Sequence, residues 1–155
     1  MASEPFPIRE STPGDFEIIC AQRRAMFEDM GRDTPEQINA MDAPYRAWLA
    51  DRLTSGEYRA WFVESDGRVV AGAGVWLLNW PPSPYDQSPH RGYVLNVYTD
   101  PGFRRRGLAK RLMETLIAWC RNHEIKIIVL HASNEGKPIY ESLGFKPTNE
   151  MRMIS

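Results

Sequence analysis

The 155-residue chain has only two cysteines and no long hydrophobic run, and its positive and negative charges nearly balance. Its cysteines, Cys20 and Cys120, form no C-x-x-C pair, which excludes a zinc or dithiol motif and favours buried thiols in a reduced compartment. A net charge of −1 creates no general attraction to nucleic acid or to an anionic membrane. No apolar run approaches the roughly 20 residues of a membrane span. The N-terminus lacks the apolar segment of a signal peptide, so we expect a cytoplasmic protein without nucleic-acid or membrane partners.

Apolar residues make up 43% of the chain and charged residues 25%, which is typical of one globular domain, here residues 1–155. Periodicity predicts the element order β α α β β β α β α β, hence an α+β (mixed α/β) fold. Thr12 begins the first predicted helix and Gly31 ends it. Thr34 begins the second, which we expect to break at Pro44.

The strand patterns predict a mixed sheet. The Asp66-Gly67 pair between two strand patterns indicates a hairpin. The strand–helix–strand pattern at 93–131 predicts a parallel pair. Residues 126–132 are almost continuously apolar, as in a strand buried on both faces. Gly144 ends a predicted short helix, and residues 145–154 predict a closing strand.

A cluster of positive charge, "RRRGLA" at residues 104–109 followed by Lys110, stands where the long helical pattern begins. Cations at a helix N-terminus cost roughly 0.3–1 kcal/mol each, whereas a bound anion there is stabilised by the unpaired N–H groups. Gly107 would let such an anion approach the backbone, and Ala109 is small for the same reason. Taken alone, the cluster is explained equally well by a solvated basic face.

Two segments resemble a known family. "VYTDPGFRRRGLAKRLM" resembles the acetyl-CoA motif of the GNAT superfamily of N-acetyltransferases, Q/R-x-x-G-x-G/A, with Arg104, Gly107 and Ala109 at its defined positions. "ASNEGKPIYESLGF" resembles a later motif of the same family, with Asn134 and Tyr140 ahead of L-G-F. The resemblance implies a GNAT-like mixed, largely antiparallel central sheet with helices on both faces, and acetyl-CoA as cosubstrate without a metal.

The same resemblance implies where the cofactor binds. The pyrophosphate would rest on backbone N–H groups of residues 105–110. The preceding strand would bulge and splay from its neighbour, so that pantetheine lies in the gap beside the backbone of Val97 and Thr99. The implied cofactor-binding residues are Val97, Tyr98, Thr99, Arg104, Arg105, Arg106, Gly107, Leu108, Ala109, Lys110, Asn134 and Tyr140.

Catalytic roles follow from the same resemblance. The Val97 N–H would stabilise the oxyanion, and Tyr140 would protonate the departing thiolate, although core packing also explains a tyrosine there. Asn134 would bond the cofactor or cap the short helix.

The general base is left open. Asn96 stands where many relatives carry a glutamate, and an amide orients a water or a substrate but takes no proton. His131, His90 and Tyr93 are alternatives, as are a water chain and an amine that is already neutral.

We expect the acceptor pocket between the first two helices and the proline-rich loop at 80–90. Trp76, Trp80 and Tyr85 would form an apolar or cation–π wall, or merely cover the sheet edge. The acidic side chains that could attract an amine are Glu28, Asp29 and Asp86.

The main hypothesis is therefore an N-acetyltransferase that acts by direct attack in a ternary complex. A noncatalytic acyl-CoA-binding or sensor module is the alternative, and nucleic-acid binding through the arginine cluster is a third. The acceptor, a small-molecule amine or a peptide, stays open, as does the oligomeric state, a homodimer included.

Overall fold

The computed structural model describes residues 5–155, in which a five-stranded sheet carries helices on both faces. The sheet follows chain order and is antiparallel except for its last, parallel pair, which confirms the predicted fold class. The strands are β1 (Ile8–Glu10), β2 (Tyr58–Ser65), β3 (Arg68–Asn79), β4 (His90–Thr99) and β5 (Ile128–Val129). The helices are α1 (Phe16–Met30), α2 (Pro35–Ser55), α3 (Leu108–Asn122) and α4 (Lys137–Ser142), and short 3-10 helices span Pro13–Asp15 and Pro101–Phe103.

Alternation along β2 divides the interior into two apolar layers. Trp61 and Val63 pack into the layer that contains α3, whereas Tyr58 and Phe62 pack into the layer that contains α1 and α2. Successive strand residues point to opposite faces, so one strand contributes to both layers. None of the helices within residues 5–155 is long and apolar enough to cross a membrane.

The hairpin turn, the end of α1 and the start of α2 lie where the sequence predicted them. The hairpin turn has positive φ at both Asp66 (50°) and Gly67 (74°), as a type I′ turn requires. Gly31 ends α1 in the left-handed region at φ 64°. The Thr34 side chain accepts a hydrogen bond from the Gln37 N–H at 3.2 Å, which begins α2.

The predicted break at Pro44 is wrong, because α2 runs through it from Pro35 to Ser55. Ile38 before the proline and Leu49 after it are both buried. Packing on the two sides of the proline therefore holds the helix together despite the missing N–H.

Two strand predictions near the C-terminus are also wrong. Only Ile128–Val129 of the apolar run forms a strand, and both residues are half-buried. Residues 145–154 form no strand, and Met151 and Met153 are 92% and 88% exposed. A segment with an alternating pattern forms a strand only where it can hydrogen-bond to the edge of a sheet. Residues 145–154 pair with no strand of the described sheet.

Candidate functional site

The centre of β4 contains a bulge that opens the sheet. Asn96 and Val97 both lie opposite the single residue Ala73, because the register between β3 and β4 shifts between Gly72 and Gly74. Asn96 has φ 59°, a left-handed conformation that asparagine tolerates better than most residues. The bulge lies in the strand where the resemblance implied one.

On its other edge, β4 pairs with β5 only at Gly92 and Tyr93. Beyond Tyr93 the two chain segments diverge, and residues 94–99 have no strand partner on that side within the described part of the chain. The gap between these segments is the splayed opening that was expected.

A cavity of about 960 Å³ occupies this opening. It is bounded by α1 and α2 on one side, by β4 at Tyr93 to Val97 at its base, and by residues 130–133 on the other side. Tyr140 of α4 and Arg152 of the C-terminal tail complete the lining. Three of the proposed site residues, Asn96, Val97 and Tyr140, thus meet at one cavity.

Asn96 is the centre of a buried hydrogen-bond network and is only 4% exposed. Its Nδ2 donates to the hydroxyl oxygens of Tyr45 and Tyr58, each at 2.9 Å. Its Oδ1 accepts from Nη1 of Arg23 at 2.9 Å. Both amide hydrogens are therefore used within the protein, and Asn96 ties the bulge to α1, α2 and β2.

The two tyrosines of this network stay protonated at neutral pH, since burial raises the pKa of Tyr45 and of Tyr58. Gly74 allows the Tyr58 ring to lie this close, because a Cβ at that position would stand 1.9 Å from the Tyr58 hydroxyl oxygen. Gly74 thus helps to build the site. From the sequence, a glycine inside a strand indicates only that some group packs closely against the backbone.

Tyr140 both packs and faces the cavity. Its ring meets Phe145 edge to face, with centroids 5.9 Å apart. Burial raises the pKa of its phenol, so the group retains its proton at neutral pH. The packing role is thus present, and Tyr140 is also one of the residues that line the cavity.

Asn134 does not cap α4. The Gly136 N–H donates instead to the Ser133 hydroxyl at 3.0 Å, and Asn134 is exposed. The capping alternative for Asn134 is therefore wrong, and its role toward the cofactor stays a prediction.

The arginine cluster lies ahead of α3 rather than inside it. Positive φ values at Arg105 (63°) and Gly107 (72°) delay the helix until Leu108. A Cβ on Gly107 would meet no atom within 4 Å, so the space over this turn is open. Leu108 is buried and anchors the helix start, while Lys110 is exposed.

Two of the three arginines bind to the protein itself. Arg104 donates from Nε to the Thr99 carbonyl oxygen at 2.9 Å and pairs with Asp29 of α1. Arg106 lies over the rings of Phe6 and Phe103, 5.6 Å and 5.2 Å from their centroids. The Thr99 carbonyl oxygen thus already accepts one hydrogen bond within the protein.

The aromatic wall differs from the expected one. Trp76 lines the cavity, but Trp80 and Tyr85 do not. The Arg91 guanidinium stacks on Trp80 at 4.2 Å, and Tyr85 is 76% exposed. The helices contribute the other apolar lining, namely Met26, Phe27, Met30, Met41, Pro44 and Trp48.

The expected acidic attraction is wrong as well. Asp86 is 3% exposed and accepts from the Ser88 N–H inside its own loop. Glu28 pairs with Arg24, and Asp29 pairs with Arg104. Among the described residues the charged side chains that line the cavity are Arg23, Arg32 and Arg152. Sequence reasoning missed all three, because no local motif surrounds them.

Of the base candidates, His131 and Tyr93 line the cavity and His90 does not. The His131 ring lies 5.6 Å from the Tyr93 ring, and its Nε2 lies 2.8 Å from Nη2 of Arg152. An arginine only donates, so the ring nitrogen that accepts from it is not free to take a proton from an amine.

Comparison with known proteins agrees with this geometry. Residues 23–145 match the model of the acetyltransferase (GNAT) family. A GCN5-related N-acetyltransferase from Ralstonia eutropha is 38% identical, with a TM-score of 0.91 over 97% of this chain and 98% of that one. A predicted acetyltransferase from Clostridium acetobutylicum, solved with acetyl-CoA, is 24% identical, with a TM-score of 0.88 over 97% of this chain and 96% of that one.

The curated relatives are more distant. The Escherichia coli protein YafP, described as an uncharacterized N-acetyltransferase, is 27% identical over 94% of this chain and 85% of its own length. Other matches are longer proteins: the chain spans 35% of an uncharacterized Mycobacterium leprae protein and 39% of human N-acetyltransferase 8.

Proposed function

Because the chain belongs to the acetyltransferase (GNAT) family, we propose that it is an acetyl-CoA-dependent N-acetyltransferase acting on a primary amine. The observation that carries the proposal is the geometry of β4, whose bulge at Asn96 and Val97 opens a cavity and whose end leads into the glycine turn before α3. An amine acceptor is supported by the glucosamine 6-phosphate N-acetyltransferase of Trypanosoma brucei brucei, which is 30% identical over 52% of this chain.

The cofactor would lie along β4. The pyrophosphate binds the N–H groups at the start of α3 around Gly107, where the space is open and the peptide dipoles favour an anion. Toward the bulge, the backbone of Val97, the Thr99 N–H and the side chain of Asn134 bond the amides of the pantetheine arm. The acetyl group then reaches Val97, beside the cavity.

The reaction proceeds by direct attack. The amine nitrogen forms a bond to the acetyl carbonyl carbon, and the Val97 N–H stabilises the oxygen that gains charge. As the carbon–sulfur bond breaks, Tyr140 gives its phenolic proton to the thiolate. The proton released from nitrogen passes through solvent and restores Tyr140, so the products are the acetamide and free coenzyme A.

No carboxylate of the described residues lines the cavity, so none is placed there to act as a base. The reaction therefore uses an amine that is already neutral. Three lining arginines lower the pKa of an ammonium group near them, because like charges disfavour its protonated form. Asn96 positions the bulge and takes no proton.

Replacing Tyr140 tests the acid. Tyr140→Phe removes the proton donor and keeps the ring, so kcat should fall by about 10²-fold or more while calorimetry shows unchanged acetyl-CoA affinity. Tyr85→Phe, at an exposed tyrosine outside the cavity lining, should change kcat little. A Tyr140→Phe enzyme with full kcat would exclude the acid role.

Replacing Gly107 tests the phosphate turn. Gly107→Glu places a carboxylate in the anion space and should abolish coenzyme A binding, measured by calorimetry with circular dichroism as the folding check. Gly107→Ala carries the same backbone strain without the charge and should retain most of the affinity. Retained binding in Gly107→Glu would contradict the turn assignment.

Turnover decides between an enzyme and a sensor module. Release of free thiol from acetyl-CoA in the presence of a panel of primary amines supports the enzyme. Tight binding of acetyl-CoA with no turnover of any amine would favour the noncatalytic module.

A further inference from the structure

The charge that lines the cavity has one sign. Arg23, Arg32 and Arg152 face it, and no carboxylate within residues 5–155 does. The α1 carboxylates that lie nearby are bound elsewhere, Glu28 by Arg24 and Asp29 by Arg104. A cavity with this lining favours a ligand that brings a negative charge of its own.

Arg23 is the arginine that the structure holds in place. Its guanidinium lies 4.4 Å from the centroid of the Tyr45 ring and 5.0 Å from that of Phe27, and Nη1 donates to Asn96. Its Nε is buried and has no hydrogen-bond acceptor among the described residues, and Nη2 makes no hydrogen bond there either. Because Nε is closed to solvent, Nη2 is the guanidinium donor that remains for a ligand in the cavity.

The position of Arg23 separates it from the phosphate turn. It bonds Asn96, the residue before Val97, whereas the turn begins beyond Thr99. Three strand residues span about 10 Å, so Arg23 lies near the transferred acetyl group rather than near the pyrophosphate. Its spare donors are therefore available to the acceptor.

The rest of the acceptor side is apolar. Met26, Met41, Trp48 and Trp76 line it beside the Arg23 guanidinium. Such a surface favours a hydrocarbon, thioether or aromatic side chain, and the three arginines disfavour a polyamine.

We propose that the acceptor is a free amino acid with an apolar side chain, whose carboxylate binds Arg23 while its amine attacks the acetyl group. The inference rests on the proposed acetyl transfer. Asn96 uses Nη1, which leaves Nη2 of the guanidinium to donate a charge-assisted hydrogen bond to the carboxylate. In an α-amino acid the carboxylate carbon is bonded directly to the carbon that bears the amine, which matches the adjacency of Arg23, Asn96 and Val97. A peptide N-terminus lacks this nearby carboxylate.

Thiol release measures the specificity. The probes are L-phenylalanine, L-methionine, L-leucine and L-tryptophan, each beside its carboxamide and its decarboxylated amine. At least one free acid should have a kcat/KM at least 10-fold above its carboxamide, although the acid and the carboxamide carry the same side chain.

Two variants test whether Arg23 causes the preference for the free acid over its carboxamide. Arg23→Gln should lower kcat/KM for the acid by about 10- to 100-fold and leave the carboxamide unchanged, so the preference disappears. Arg24→Gln removes the same charge one position along α1, outside the cavity lining, and should retain the preference. Calorimetry with acetyl-CoA checks that both variants still bind the cofactor.

Carboxamides or decarboxylated amines used as well as the acids would overturn the inference and leave acetyl transfer standing. A preference for the acid that survives in Arg23→Gln would also overturn it. Absence of turnover with every probe, while another primary amine of the wider panel is acetylated, would overturn the inference and leave acetyl transfer standing. Absence of turnover with every amine, while acetyl-CoA binds, would contradict the proposed function as well.

Discussion

At the scale of single residues, Asn96 explains how the strand opens at the cavity. Its left-handed backbone makes the bulge, and its side chain bonds Tyr45, Tyr58 and Arg23. A carboxylate in its place would neutralise the guanidinium of Arg23. The amide bonds groups on three elements and leaves the positive charge of Arg23 uncompensated.

We expect Asn96→Ala to lower the free energy of unfolding by about 2–4 kcal/mol. Two buried hydroxyl groups and Arg23 lose their partner, and alanine is strained at φ 59°. Urea denaturation followed by tryptophan fluorescence measures the loss.

Asn96→Gly separates the two causes, because glycine removes the side chain but accepts the backbone conformation. It should be about 1 kcal/mol more stable than Asn96→Ala. Equal stability of the two variants would show that backbone strain contributes nothing at the bulge.

At the scale of elements, α4 is a six-residue helix that holds Tyr140 at the cavity. So short a helix is not stable by itself, and its C-terminus is closed by two hydrogen bonds. The Phe145 N–H donates to the Tyr140 carbonyl at 3.0 Å, and the Gly144 N–H donates to the Glu141 carbonyl at 3.1 Å. This Schellman motif requires the left-handed conformation of Gly144, at φ 99°.

Gly144→Ala should destabilise the protein by about 1 kcal/mol, since alanine is strained in this region. Faster amide hydrogen exchange in α4 and a lower Tm are the measurements. The control is Gly102→Ala, where a Cβ meets nothing within 4 Å and φ is ordinary, so stability should not fall. Equal effects at the two glycines would contradict the motif.

The helix caps and the hairpin turn are elements that sequence patterns describe well. Thr34, Gly31 and the Asp66-Gly67 pair act on backbone groups within a few residues, so their effect is local. Pro44 is the counterexample: its local effect is a break, yet buried side chains on both sides of it keep α2 continuous.

At the scale of the whole molecule, one ion pair anchors the N-terminal strand and the start of α1 to each other. The Arg9 guanidinium donates two bonds of 2.8 Å to Asp15, and its Nε lies 3.4 Å from Glu64 of β2. Asp15 also accepts from the Thr12 N–H at 2.7 Å. The three-residue β1 thus relies on side chains as well as on the sheet ladder.

The hydrogen bonds from Arg9, opposed by burial and aided by Thr12, hold the pKa of Asp15 below its usual value. A carboxyl whose pKa is lower in the folded state stabilises the fold above its unfolded pKa, near 3.9, and loses that contribution as pH falls through the folded pKa. Asp15→Asn should therefore cost about 1–2 kcal/mol at pH 6, and the difference from wild type should shrink below about pH 4. Denaturant melts across this pH range measure it.

Glu17→Gln is the control, because Glu17 pairs with Arg46 at 2.7 Å but on an exposed surface. Solvent and salt screen such a pair, so its loss should be smaller. A cost for Asp15→Asn that stays constant from pH 6 to pH 2 would show that the charge of Asp15 is not its cause.

From the sequence alone, most element types, the mixed sheet and the glycine turn could be predicted, because periodicity, caps and motifs act over short stretches of chain. The bulge in the strand ahead of that turn was implied by the family resemblance. Whether residues 145–154 form a strand could not be decided from their pattern alone. A period of two describes which residues would share a face, but only the folded molecule shows whether a sheet edge is available.

The sequence by itself determined the strand, the glycine turn and the short helix with Tyr140, since each belongs to a continuous motif, and the family resemblance predicted that they form one site. Only the tertiary structure decided which charged side chains line the cavity. Arg23, Arg32 and Arg152 come from α1, the following turn and the C-terminal tail, while the expected acids turn to other partners. The sign of charge in a cavity is a sum over side chains distant in sequence, and chain packing alone brings them together.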